Sequence, residues 1–397
     1  MKIVDIAEFY SDQGGGVKTY MRQKLQYAKE FGVAMDIVAP GRQDRTEHMA
    51  GGRIVWVKCL VHPADRRYHI FTRARPVYEL LDTIGPDVVE GSSPWRGGWI
   101  AGRWPGRALR SHFIHSDPVA SYPHTYLGRR LGYDRTDKLF GWFWSYLRRL
   151  DRLFDLSVVS SPWLADRMAG FGLQKPVSIP FGINKSEFSH RYRCAETRRD
   201  MLARCGIDRD DATLLVTVSR HHPEKRIPTM VRAIGELNTA RPTGLFVIGD
   251  GMMRKANEKL ASRYPGIHIA GQIDDRARLA HCLASSDALI HGCASETFGL
   301  VIAEGLSSGL PVIVPNRGGA ADLASPDFAE TYEPGDVEDC KRAVLAFLAR
   351  DRERMSEHAR AHAANGIRNV SEHFEELFRT YENRLVNADP RPGVRTA

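Results

Sequence analysis

Three loops carry residue types whose spacing suits chemistry on anions and hydroxyls. In the first, Glu296 and Glu304 are separated by seven residues in Ser295-Glu296-Thr297-Phe298-Gly299-Leu300-Val301-Ile302-Ala303-Glu304-Gly305. Glu296 reads as a loop residue and Glu304 as lying about two turns into the helix that follows. Thr297, Phe298 and Gly299 fall where free N–H groups leave the helix N-terminus, a ready place for a phosphate. Carboxylates so placed accept well from paired hydroxyls, Glu296 from a sugar and Glu304 from a ribose. A general acid/base pair is the rival reading.

The second loop is Ser219-Arg220-His221-His222-Pro223-Glu224-Lys225-Arg226. Arg220 and Lys225 stand five apart between a strand end and a helix start, so both cations can converge on a phosphate or diphosphate. A solvated basic loop is the alternative. The third is Gly14-Gly15-Gly16 after the first strand, where backbone can approach a ligand closely, or simply turn. Its glycines are too close together for a dinucleotide fingerprint.

Metal chemistry has little support. The six cysteines (Cys59, Cys194, Cys205, Cys282, Cys293 and Cys340) form no C-x-x-C and show no pairing with His at zinc spacing. Asp208-Arg209-Asp210 sits in a charged connector ahead of a strand rather than after one, and reads as a surface loop. Reduced thiols point to a cytoplasmic protein.

The elements that must position these loops alternate from end to end. Expected strands are 2–7, 35–39, 53–57, 87–90, 112–115, 157–160 and 177–180, then 213–219, 244–249, 267–270, 288–291, 311–314 and 330–332. Helical patterns lie between them, at 72–83, 228–237, 254–263, 274–284 and 300–307. Strands apolar on both faces, alternating with helices, predict parallel sheets covered on both sides. Two such sets make two doubly wound, Rossmann-like α/β domains facing a cleft, with helices at the C-terminus. The expected domains are 1–183, 184–388 with the terminal helices, and a polar tail at 389–397.

The 397 residues hold 43% hydrophobic and 26% charged residues, which excludes a disordered tail protein and a disulfide scaffold. No apolar run reaches the roughly 18 residues of a membrane span. The net charge of +8 is concentrated. Trp95–Arg152 holds 11 Lys and Arg against 4 Asp and Glu, a net +7, with five of the seven tryptophans. Over 137–154, helical spacing puts Lys138, Ser145, Arg148, Arg149 and Arg152 on one arc and an apolar set including Trp142 on the other. Such a helix either binds an anionic membrane surface or packs on the sheet and solvates its arginines. No nucleic-acid motif accompanies the charge.

The ordered set of triple-glycine loop, Arg220 with Lys225, Gly249-Asp250-Gly251, Gly271, the spaced Glu pair and Gly318-Gly319 resembles the retaining, nucleotide-sugar-dependent glycosyltransferases of family four. The resemblance covers nearly the whole chain and implies the GT-B fold. It implies that Arg220 and Lys225 hold the donor diphosphate, that Glu296 contacts the donor sugar, and that Glu304 binds the ribose. Phe298, Gly299, Leu300 and Gly251 would line the donor, and Gly15 and Gly16 would lie close to the sugar or acceptor. His115, in Phe113-Ile114-His115-Ser116-Asp117, matches the family's histidine near the reacting sugar. Ser219 and Arg226 stand where the family usually has glycine, and Asn184 where it usually has Asp.

The expectation is therefore a retaining hexosyltransferase using a UDP- or GDP-sugar by front-face substitution, without metal or further cofactor. Its acceptor would be a glycolipid or lipid-linked saccharide at the cytoplasmic face of a membrane, met through Trp142, Arg148, Arg149 and Arg152. The same chemistry on a soluble acceptor, and a nucleotide-sugar-binding protein without turnover, are the alternatives. An epimerase of similar shape lacks evident acid/base carboxylates.

Overall fold

The computed structural model describes residues 1–11, 16–63, 65–66, 68–174, 176–237 and 242–387. Gly15 and the 389–397 tail lie outside them. The first sheet is built from β1 (Lys2–Ile6), β2 (Ala34–Gly41), β3 (Arg45–Met49) and β4 (Gly52–Lys58). After a short antiparallel pair, β5 (Leu60–Val61) with β6 (His69–Ile70), it continues through β7 (Val88–Gly91), β8 (Leu109–Ile114), β9 (Leu156–Val159) and β10 (Val177–Ser178). Its spatial order is β10-β9-β8-β7-β1-β2-β4-β3. All neighbours are parallel except the edge strand β3, which returns antiparallel on β4. The sequence pattern missed β3 because Arg-Thr-Glu-His-Met offers no apolar face, and at the sheet edge it needs none.

The chain crosses through β11 (Gly182–Ile183) into β12 (Thr213–Val218), β13 (Thr243–Ile248), β14 (Ile267–Gly271), β15 (Ala288–Ile290), β16 (Val312–Pro315) and β17 (Ala329–Tyr332). These make one parallel sheet in the order β14-β13-β12-β15-β16-β17. Both sheets run outward from their first strand, so each has a switch point, between β1 and β7 in one and β12 and β15 in the other. Ligands bind outside the carboxyl ends of the strands at such points. The fold is α/β with two doubly wound domains.

The expected second domain kept all the terminal helices. The last of them, Val370–Val386, instead leaves it through β18 (Arg368–Asn369), paired in parallel with β11, and docks on the first domain. Its Phe374, Leu377, Phe378 and Tyr381 join Ile3, Tyr20, Phe113 and Val158 in one core. The apolar stripe of this helix fits the first sheet's uncovered face, which sequence spacing alone cannot assign to either domain. The two crossings lie so close that a Cβ on Gly182 would stand 2.0 Å from the Asn369 carbonyl oxygen.

A polar cluster sits inside this core. The Lys24 ammonium donates to Asp5 at 2.9 Å and Glu90 at 2.5 Å, all three side chains having no exposure. Ser92 Oγ donates to Asp5 at 2.6 Å, and the Tyr381 hydroxyl of the last helix donates to Glu90. Burial raises the Glu90 carboxyl above the usual carboxylate range, against the pull of Lys24. Removing one member strands the others' charges in low dielectric, which typically costs about 3–5 kcal/mol. Lys24→Met is expected to lower unfolding stability by roughly that amount in urea titration; an unchanged midpoint would show that the cluster is dispensable.

Candidate functional site

The carboxyl ends of β12 and β15 bring the two expected loops of the second domain together. Lys225, from the loop after β12, donates through Nζ to Glu296 Oε1. His291, directly after β15, meets the same oxygen through Nε2 at 3.1 Å. Both partners crowd Oε1, and among the described residues Oε2 has no protein partner. Burial opposes ionisation of Glu296, but Lys225 and His291 outweigh it and hold its carboxyl well below the usual range. Burial would likewise lower Lys225, yet its acidic neighbours Cys293, Glu296 and Glu224 raise it above its ordinary value. The pair is ionised at neutral pH.

The loop carrying Glu296 is shaped by glycines. Gly299 caps the helix Leu300–Ser307 with φ 96°, a left-handed conformation that favours glycine. Gly319 donates its N–H to the Glu296 carbonyl at 2.7 Å, and a Cβ on it would lie 2.7 Å from the Thr297 carbonyl carbon. Phe298 is buried against Phe181, and Leu300 is exposed. Among the described residues no protein acceptor takes the N–H of Phe298, Gly299 or Leu300. These groups and Glu296 Oε2 therefore keep hydrogen-bonding capacity to spare.

The first domain meets this loop directly. The Thr297 hydroxyl donates to the His115 carbonyl at 3.2 Å, and Ser160 Oγ donates to the Thr297 carbonyl at 3.2 Å. The His115 ring stacks on Phe113 at 4.4 Å, and its Nε2 is buried without a protein partner. Burial lowers its pKa to about 3, so it is a neutral imidazole at pH 7. Gly16 opens the helix Gly16–Glu30 with free space around it.

The other expected residues are distributed differently. Arg220 does not join Lys225; its side chain is 65% exposed and leans on Glu224 at 3.4 Å. Gly251 is strained for any other residue, with φ 150° and a Cβ that would stand 2.8 Å from the His221 carbonyl oxygen. Arg226 takes φ 47°, the left-handed conformation that explains why glycine is usual there. Glu304 lies apart from Glu296, paired with Arg276 at 3.3 Å. The two carboxylates are thus not an acid/base pair.

On the first domain the expected single helix over 137–154 breaks at Phe140 into Tyr133–Leu139 and Gly141–Asp151. Phe143, Trp144, Leu147 and Leu150 pack inward, while Trp142 is 67% and Leu139 60% exposed. Arg149 and Arg152 are exposed, but Arg148 is not free for a surface: it donates to the Phe171 carbonyl at 2.9 Å and Ser145 Oγ at 2.7 Å. Asp208 and Asp210 lie on the exposed loop at the amino end of β12, away from the site.

Sequence reasoning missed His291, although its place at a strand end five residues before Glu296 was the available signal. His291, Cys293 and Glu296 also offer ligand atoms within 4.8 Å of one another, a set that could gather a metal ion. A cation there would meet the Lys225 ammonium on the same carboxylate.

Glu304 carries an electrostatic cost. Burial pushes its carboxyl from 4.5 up to about 7, and Arg276 offsets this only in part. The folded state therefore holds this proton to higher pH than the unfolded chain, and stability falls as pH rises from about 4.5 to 7. Glu304→Gln is expected to raise the melting temperature at pH 8 by roughly 2–4 °C, the shift about 1 kcal/mol gives in a domain of this size. The gain should vanish at pH 4; a variant less stable at pH 8 would contradict the argument.

The Glycosyltransferase Family 4 model matches residues 14–187, and the model for glycosyl transferases group 1 matches 206–362. A GDP-mannose-dependent alpha-mannosyltransferase of Mycobacterium tuberculosis is 26% identical over 91% of both chains. A phosphatidylinositol dimannoside mannosyltransferase of that organism is 25% identical over 89% of this chain and 90% of its own. The sulfoquinovosyl transferase of Arabidopsis thaliana is 27% identical over 85% of this chain, which spans 64% of the plant protein. Among solved structures, sucrose-phosphate synthase of Thermosynechococcus elongatus superposes with a TM-score of 0.77 at 18% identity, over 98% of this chain and 100% of its own. Anabaena HepE with UDP-glucose gives 0.71 at 14%, over 96% of this chain and 100% of its own. With both of its domains matched in sequence and the whole in fold, the chain belongs to glycosyltransferase family four and has the GT-B fold.

Proposed function

We propose that this glycosyltransferase moves a hexose from a UDP- or GDP-sugar, with retention, to an acceptor presented at a membrane. The observation that carries the reading is the Glu296 carboxylate, with Oε1 taken by Lys225 and His291 and Oε2 left for a ligand. It stands beside unpaired N–H groups and a neutral His115 from the opposite domain. The relatives' names supply the donor and acceptor classes: GDP-mannose, and phosphatidylinositol mannosides. A fold neighbour was solved with UDP-glucose.

In this mechanism the bond from the anomeric carbon to the diphosphate breaks while the acceptor hydroxyl bonds to the same face of that carbon. The hydroxyl proton passes to a departing diphosphate oxygen. Lys225, with Arg220 turning inward from its exposed loop, stabilises the charge that develops on the leaving group. Glu296 Oε2 and His115 Nε2 hold the sugar by its hydroxyls. Glu304 accepts from the ribose hydroxyls, which gives its costly carboxylate further partners beside Arg276. Because ammonium and guanidinium supply the positive charge, we infer that the transfer is metal-independent.

The decisive experiment is a transfer assay with UDP- and GDP-hexoses, reading the anomeric configuration of the product by NMR and adding chelator in a parallel arm. Lys225→Ala is expected to cut turnover about a hundredfold or more, the usual cost of losing one such charge contact, on the order of 3 kcal/mol. A near-normal rate would remove Lys225 from the mechanism, and inversion would remove front-face substitution.

Membrane presentation rests on the exposed Trp142 and Leu139 beside Arg149 and Arg152. No helix of the described residues is long and apolar enough to cross a membrane. A tryptophan at a lipid interface with basic neighbours favours anionic bilayers. The protein is expected to float with phosphatidylglycerol-containing liposomes and far less with purely zwitterionic ones. Trp142→Ala should weaken that binding several-fold; no flotation with either kind of liposome would return the acceptor to solution.

A further inference from the structure

The helix Arg96–Arg103 starts directly beyond the carboxyl end of β7, at the first sheet's switch point. Three of its eight residues are glycine, although glycine costs about 1 kcal/mol against alanine inside a helix. All three face inward. A Cβ on Gly98 would stand 2.2 Å from the Ser93 carbonyl oxygen, and one on Gly102 would stand 2.7 Å from Leu153 Cβ. On Gly97 it would lie 3.1 Å from Glu8 Cβ. The helix is thereby seated tightly on the sheet, and its bulk is gathered on the outer side.

That outer side, with Tyr146, lines a groove of about 370 Å³ formed by Trp95, Arg96, Trp99 and Arg103. Its aromatic walls are fixed. Trp99 Nε1 donates to the Tyr146 hydroxyl at 2.8 Å, and that hydroxyl donates to the Pro94 carbonyl at 2.7 Å. Trp95, 41% exposed, rests against Phe143 at 5.5 Å between ring centres. The Arg103 guanidinium lies over the Trp99 ring at 4.4 Å. Arg96 is anchored on the carbonyls of Phe71 and Thr72 at 3.3 and 3.1 Å. Among the described residues neither guanidinium has an ion-pair partner.

We infer that this groove binds the acceptor's head group, and that the group is a ring polyol carrying a carboxylate or phosphate. The inference rests on the transferase reading, which makes the first domain the acceptor side. The C–H face of a pyranose or cyclitol suits the electron-rich face of an immobilised indole. A planar anion suits the Arg103 guanidinium fork, which lies over the Trp99 ring. A purely apolar ligand would leave Arg103 without a counter-charge. A simple anion would leave the exposed Trp95 indole uncovered. A ring with an anionic substituent satisfies both.

The test uses D-glucuronate, D-glucose and acetate as probes of the intact protein, followed by saturation-transfer NMR. Glucuronate is expected to saturate, with glucose and acetate at least tenfold weaker. Arg103→Gln should weaken glucuronate at least fivefold with an unchanged melting temperature, whereas Arg204→Gln, on the far domain, should not. No saturable glucuronate binding, equal binding of glucose, or an unaffected Arg103→Gln variant would overturn the inference. Thermal shifts with UDP- and GDP-sugars separate the two levels. A wild-type protein that responds to no donor overturns the transferase reading, whatever glucuronate does. A loss of donor response in Arg103→Gln alone would place the groove with the donor and overturn its acceptor role.

Discussion

One buried ammonium ties together what would otherwise be independent parts. Lys24 comes from the first helix, Asp5 from β1, Glu90 from β7, and Tyr381 from a helix nearly three hundred residues further on. A charge with no access to water needs its counter-charges close and correctly oriented. The four elements can vary little in relative position while Lys24 stays paired. Because β1 and β7 flank the first switch point, that requirement also fixes the strand ends there.

The second domain uses the same ingredients to another end. Lys225 and Glu296 form a close pair at the other switch point, with His291 taking the place of a second counter-group. Here the set is left incomplete: Oε2, the N–H groups at the head of the helix Leu300–Ser307, and His115 Nε2 keep hydrogen-bonding capacity inside a part-buried site. Glu304 goes further and holds a carboxylate where burial disfavours it. A closed network stabilises a fold, whereas an open one stores binding capacity for something else. The contrast between Lys24 and Lys225 is therefore one of completeness rather than chemistry.

Much of this was legible from residue patterns. The parallel strands of the two sheets follow from their apolar runs, because a strand buried on both faces leaves little choice of residue. The loops after β12 and β15 were identifiable because Lys, Arg and paired Glu stand beside glycines at strand ends. What the pattern could not supply was partnership. Arg220 and Lys225 read alike in sequence, yet one is held by Glu296 and the other is exposed on its loop. Arg148 falls on the basic arc of its helix but closes the turn at Phe171. The break at Phe140, the polar edge strand β3 and the docking of the last helix all depend on neighbours far away in the chain.

The pairing of β11 with β18 has a consequence for how the molecule comes into being. The first domain is not a continuous stretch of chain, since part of its core is contributed by Phe374, Leu377, Phe378 and Tyr381. During synthesis the first 183 residues leave the ribosome with that face of their sheet uncovered and Glu90 without the Tyr381 hydroxyl. They stay in that condition until the whole second domain has been made. The order of translation thus places completion of the first domain last, although its sequence comes first.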